Sequence, residues 1–161
     1  MNKTSLADYT ERNDASNVKK LLNAGSDIEQ FEYDKSALHI ACVSNAISAA
    51  KVLIEAGINV NLQDKITGAT PLHYCAVYNY FDMASLILEN NGKLDVSDNF
   101  GNEPLWTAVF NVRSFIEKLP IVELFLKNGA NKNHKNNAGR SPFDFVNQVK
   151  FAPLLEILNK Y

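Results

Sequence analysis

The side chains best suited to chemistry are three histidines, two cysteines and a few paired carboxylates. His39 with Cys42, and His73 with Cys75, have spacings that invite a zinc reading. Zinc needs three or four ligands converging on one point at about 2 Å. The two pairs occupy equivalent points of a repeating pattern, on helices about 8–10 Å apart. We therefore read both cysteines as small buried hydrophobes and expect no metal. His134 lies in the polar stretch Asn133-His134-Lys135-Asn136, with no evident partner. Asp8 with Glu11, and Glu29 with Glu32, are spaced for acid–base work, but such pairs usually stand as solvated surface charge. No G-x-S-x-G, P-loop or H-E-x-x-H string occurs, and no nucleophile, base and orienting group can be assembled. The expectation is a non-catalytic chain without cofactor. The basic stretch Lys127, Lys132, Lys135 and Arg140 is the one candidate for nucleic acid. It reads better as a helix C-terminus complemented by lysine, so no nucleic-acid partner is expected.

Composition supports this. The chain has 161 residues, 16 basic against 18 acidic, and is 46% apolar and 21% charged. Disorder is excluded by the apolar content, and a nucleic-acid footprint by the lack of basic excess. Two cysteines do not make a disulfide scaffold and suit a reducing compartment, so a cytoplasmic location is expected. No apolar run approaches the roughly 18 residues that span a membrane, and Met1 to Leu6 lacks a signal core.

The elements that position these residues follow from a repeat. Leu38, Leu72, Leu105 and Phe143 stand in Ser36-Ala37-Leu38-His39, Thr70-Pro71-Leu72-His73, Glu103-Pro104-Leu105-Trp106 and Ser141-Pro142-Phe143-Asp144. Leu6 supplies a degenerate first copy. Gly25, Gly57, Gly92 and Gly129 follow at similar offsets. A hydroxyl before proline reads as helix N-cap and first helical position. Leucine with Ala41, Cys42, Cys75, Ala76 and Ala108 makes a narrow inner face. The runs Val52-Leu53-Ile54, Leu86-Ile87-Leu88 and Val122-Leu124-Phe125-Leu126 make a second helix with a wider apolar stripe. Each glycine is expected to take a left-handed cap. Asp34 stands where a turn glycine would be, which predicts a differently shaped hairpin. Five extra residues around Val112 to Glu117 predict an extended helix or protruding loop. No such unit buries its faces alone, so the copies must stack.

These strings resemble the ankyrin repeat, whose period is 33 and whose signature is T-P-L-H-x-A. The resemblance runs from about Ser5 to Leu158 and implies an all-α ankyrin-repeat solenoid of about five units. We place these at roughly 4–30, 31–61, 62–96, 97–133 and 134–161, the outer two acting as caps. It implies that the histidine after the anchor is a structural hydrogen-bonding residue. It also places the hairpin tips and the outward side of each first helix on a concave face.

Aromatic and polar residues at those variable positions are the candidate binding site: Tyr33, Ile66, Tyr78, Phe100, Trp106, Phe110 and Asn111, with Glu32, Lys35, Asn102 and Arg140 around them. Glu103 is counted among the surrounding charges. Tyrosine, tryptophan and arginine dominate interface hot spots. The expected function is non-catalytic protein binding by a chain without flanking domains that is monomeric when free. It would act as a stoichiometric inhibitor or adaptor, in its specific form a bacterial immunity protein occluding a toxin. A regulatory subunit of an enzyme or transcription-factor complex is the alternative, and a hydrolase a distant one.

Overall fold

The computed structural model describes residues 5–112 and 115–161. Helices α1 (Leu6–Glu11) and α2 (Ala15–Asn23) form the first antiparallel pair. A two-stranded hairpin follows, β1 (Phe31–Glu32) and β2 (Lys35–Ser36). Then come α3 (Ala37–Val43) with α4 (Ile47–Glu55), α5 (Pro71–Tyr78) with α6 (Phe81–Glu89), and α7 (Pro104–Val112) with α8 (Leu119–Lys127). The last pair is α9 (Pro142–Val149) with α10 (Ala152–Lys160). The odd-numbered helices form one continuous layer, each packing on the next; in the second layer α2 packs on α4, α6 on α8 and α8 on α10. The architecture is the all-α solenoid of stacked helix pairs that the resemblance implies.

The anchors explain the stacking. Leu38, Leu72 and Leu105 are all but inaccessible, and so are Ala41, Cys42, Cys75 and Ala108 beside them. The small side chains bring the first helices close enough for the Cys42 and Cys75 sulfurs to lie 3.8 Å apart as free thiols. Larger side chains fill the space between layers: Leu53, Met83, Ile87, Phe125, Leu154 and Leu158.

Local chemistry sets the boundaries. Ser5, Ser36 and Ser141 cap α1, α3 and α9 as N-terminal capping boxes. Between paired helices, Asn13, Asn45 and Asn79 hold a left-handed backbone, which asparagine tolerates better than most residues. Gly25, Gly57 and Gly129 have positive φ, as the spacing predicts. Gly92 does not. There the left-handed residue is Asn91 (φ 67°). Gly92 is required for another reason: a Cβ on it would sit 2.7 Å from Ile87 Cγ2 and 2.8 Å from the Ile87 carbonyl oxygen.

The insertion also differs from expectation. It is taken up mainly by a 3₁₀ turn, Ile116–Lys118, packed against α7 and α8. Neither a long helix nor a free loop is seen in its described part; Arg113 and Ser114, which belong to the same expectation, lie outside the described residues, as do the first four. Phe115 and Ile116 are exposed on this turn.

Candidate binding groove

The hairpins and first helices together line a groove. In the first hairpin, Tyr33 and Asp34 both have positive φ (52° and 62°), and Glu32 pairs with Lys35 across the strands. That is a two-residue turn of the mirror-image type that suits a twisted hairpin, consistent with the different shape expected at Asp34. The later tips are built differently. The Asp64 carboxylate accepts from the Ile66 and Thr67 N–H groups (2.8 and 2.6 Å), the Thr67 hydroxyl (2.6 Å) and the Tyr74 hydroxyl (3.2 Å). Burial alone would raise its pKa, but the Thr67 donors, the Ile66 N–H and the Tyr74 hydroxyl outweigh it and hold the carboxyl at about 2. Asp98 organises the next tip in the same way, accepting from Phe100 and Asn102 N–H at 2.9 Å each. The tips are tied in series: Lys65 N–H donates to the Asp34 carbonyl, Asn99 to Thr67 and Asn137 to Phe100.

Histidine links the second and third pairs to the tips that follow them. Nδ1 of His39 accepts from the Ser36 N–H (3.2 Å) and lies 2.7 Å from its hydroxyl, leaving Nε2–H to donate to the Ala69 carbonyl at 3.0 Å. His73 repeats the arrangement with Thr70 (3.0 and 2.9 Å) and the Asn102 carbonyl (2.9 Å). Burial lowers the pKa of His39 to about 4 and shifts His73 the same way. Among the described residues no group of three or more His, Cys, Asp or Glu is arranged to hold a metal.

At the fourth junction the link runs backwards. Trp106 replaces the histidine and its ring packs on Phe145 at 5.8 Å. Instead, His134 reaches back from the following loop. Its Nε2 lies 3.0 Å from the Gly101 carbonyl oxygen, and its Nδ1 lies 3.1 Å from Glu103 Oε1. This corrects two expectations: His134 has partners, and Glu103 is not a surface charge but 6% exposed, at the position where other copies carry a hydroxyl. Its second oxygen, Oε2, is buried without a hydrogen-bond partner. Burial raises the Glu103 pKa, with His134 opposing and Asp95 adding to the shift.

Three candidate residues crown successive tips: Tyr33, Ile66 and Phe100, exposed by 80, 64 and 63%. Tyr78 and Phe110 are partly exposed on α5 and α7. Tyr78 stacks on Tyr80 at 5.6 Å, and Phe110 packs near Phe145 at 5.5 Å. Trp106 and Asn111 are half-buried, and Asn111 donates to the Thr107 carbonyl one turn back. Lys35 is half-buried with Nζ 5.7 Å from the centre of the Tyr74 ring. Asn102 is spent within the tip, its amide bonded to Asp98 and its oxygen to Asn136. Arg140 is exposed at the far end. Two cavities open between tips and helices. One, of about 320 Å³, lies between α1 and α3 and is lined by Ala7, Asp8, Glu11, Tyr33, Lys35, Ile40, Val43 and Ser44. The other, of about 330 Å³, lies between α5 and α7 and includes Tyr74, Val77, Phe100 and Thr107. The candidate set omits Val77, Tyr74 and Phe145. Val77 stands five residues after its anchor, as Phe110 does, so the repeat register carries a signal for it.

A stack of helix pairs with a groove along its first-helix layer defines a repeat protein of the interaction-module class. A family model described as ankyrin repeats (three copies) matches residues 2–64 and 59–136, and the chain belongs to the ankyrin-repeat family. It is similar to a putative ankyrin repeat protein of Rickettsia felis, 29% identical over 139 residues, covering 84% of this chain and 44% of that one. It is similar to the E3 ubiquitin-protein ligase KEG of Arabidopsis thaliana, 26% identical over 132 residues, covering 80% of this chain and 8% of that one. The palmitoyltransferase AKR1 of Lachancea kluyveri is 32% identical over 95 residues, covering 56% and 13%. The chain thus spans less than half of each of these relatives. Among the described residues no helix is long and apolar enough to cross a membrane.

Proposed function

We propose that this protein is a non-catalytic binding module that holds a partner protein in the groove lined by the first helices and hairpin tips. The supporting observation is the run Tyr33, Ile66 and Phe100. Three large apolar side chains in register on successive tips add little to folding, since each is more than three-fifths exposed. Exposed apolar surface arranged this way marks an interaction site. Within this reading the protein acts as a stoichiometric inhibitor or adaptor, with a toxin-neutralising immunity protein as its specific form. A regulatory subunit of an enzyme or transcription-factor complex is the other version. The test is capture from the source cell with wild-type bait and with a Tyr33→Ala/Phe100→Ala bait, read by mass spectrometry. A protein retained by the first and lost from the second supports the groove; equal retention by both opposes it.

A further inference from the structure

Charge is distributed unevenly along the stack. Residues 5–61 hold eight acidic against five basic side chains, and residues 128–161 hold two against five. The cavity between α1 and α3 lies at the acidic end. Its walls are apolar where Ala7, Ile40, Val43 and the Tyr33 ring line it, and Asp8 and Glu11 stand on its α1 side. Asp8 uses Oδ2 to accept from the Ser5 N–H at 2.8 Å. Glu11 is exposed and makes no ion pair among the described residues. The one cation on the cavity wall, Lys35, has its ammonium 5.7 Å from the Tyr74 ring centre, in the next pair.

Tyr33 adds an independent observation. It occupies a left-handed turn position that glycine and asparagine favour, and its hydroxyl has no hydrogen bond among the described residues. A bulky aromatic side chain is thus held at an unfavourable backbone position, mostly exposed, over a cavity whose two carboxylates form no ion pair among the described residues.

Resting on the groove reading above, we infer that the partner inserts an arginine side chain into the cavity between α1 and α3. The methylene stem lies along Ile40 and Val43, since long basic side chains bury their stems while keeping the charge accessible. The guanidinium meets Glu11 and Asp8 and stacks on Tyr33. Arginine suits this better than lysine because its plane stacks on aromatic rings and forks onto carboxylates. The second cavity, with Val77 and Phe100, takes an apolar side chain of the same segment. The two cavities are two repeats apart, roughly 16–20 Å at helix spacings of about 8–10 Å. An extended chain covers that distance in about five or six residues at ~3.3 Å each.

The test uses synthetic twelve-residue peptides labelled with a fluorophore, carrying arginine and leucine five or six positions apart in a serine–threonine background, in both orders. Matched peptides replace the arginine with glutamine or glutamate. Fluorescence anisotropy should show the arginine peptide bound at least tenfold more tightly than either. Glu11→Lys should abolish that preference, and the glutamate peptide should bind Glu11→Lys better than wild type. Glu29→Lys, outside the cavity, should change nothing, with circular dichroism confirming each fold. Equal binding of all three peptides overturns the arginine anchor. If Phe100→Ala still weakens those peptides, the groove reading stands without it. Absence of binding by every peptide at millimolar concentration also overturns the anchor, and the groove reading is then judged by whole-partner capture.

Discussion

Glu103 Oε1 lies 3.1 Å from His134 Nδ1, across the only junction between described repeats where the first helix carries tryptophan at the histidine position. Because His134 Nε2 faces the Gly101 carbonyl oxygen, the pair is satisfied by one shared proton: imidazolium with carboxylate, or neutral imidazole with carboxylic acid. Two buried acceptors facing one ring require it. His134→Ala should therefore cost about 1–3 kcal/mol by stranding a buried carboxylate. Glu103→Gln keeps a donor for Nδ1 without the charge and should cost less. Urea denaturation of both variants checks the order.

The same pair gives a pH dependence with a defined sign. Burial raises the Glu103 pKa, so the folded state keeps the Glu103 carboxyl protonated to higher pH than the unfolded chain does. The contribution is complete below the unfolded carboxylate range, near pH 4, and is lost as pH rises through the folded value. Glu103→Gln should flatten that loss. An unchanged pH slope in the variant would contradict the raised Glu103 pKa.

The acid limb has the opposite sign and different residues. His39 has its pKa lowered to about 4 by burial, so the unfolded state binds protons first, from about pH 6.5. Stability should fall from there toward pH 4. A second loss follows as pH drops below about 4 toward 2, where Asp64 is protonated. His39→Asn should be less stable at neutral pH but less acid-sensitive between pH 6.5 and 4. Thermal melts across pH 3–8 read both effects.

Packing gives a further contrast. Leu72 is almost wholly buried between neighbouring first helices, whereas Leu6 lies in the first pair and keeps slight exposure. Leu72→Ala should cost roughly 2–5 kcal/mol and Leu6→Ala less, because an end unit can relax around the gap. Gly92→Ala should also be costly, through its clash with Ile87. Chemical denaturation ranks the three.

Much of the architecture is legible in the sequence because it is local. Anchor strings set helix starts, and asparagine or glycine sets the turns. Tyr33, Ile66 and Phe100 are recognisable as exposed because repeat register assigns the tips without knowledge of packing. The Glu103–His134 pair is not legible, since it depends on two departures from the repeat, 31 residues apart, meeting in space. Gly92 misleads for a related reason: its spacing matches the other cap glycines, but the left-handed turn falls on Asn91 and the glycine is needed to clear Ile87. Asn102 reads as a free polar group and is instead consumed by Asp98 and Asn136.

The groove itself is tested most directly by site-specific photo-crosslinking in extracts of the source cell. Benzoylphenylalanine is placed singly at Tyr33 or Phe100 on the tips, and at Lys20 or Lys51 on the exposed side of α2 and α4. The account predicts a discrete adduct with the same protein from both tip positions and none from the helix positions. Adducts from Lys20 or Lys51, with none from Tyr33 or Phe100, would place the partner on the opposite layer and contradict it.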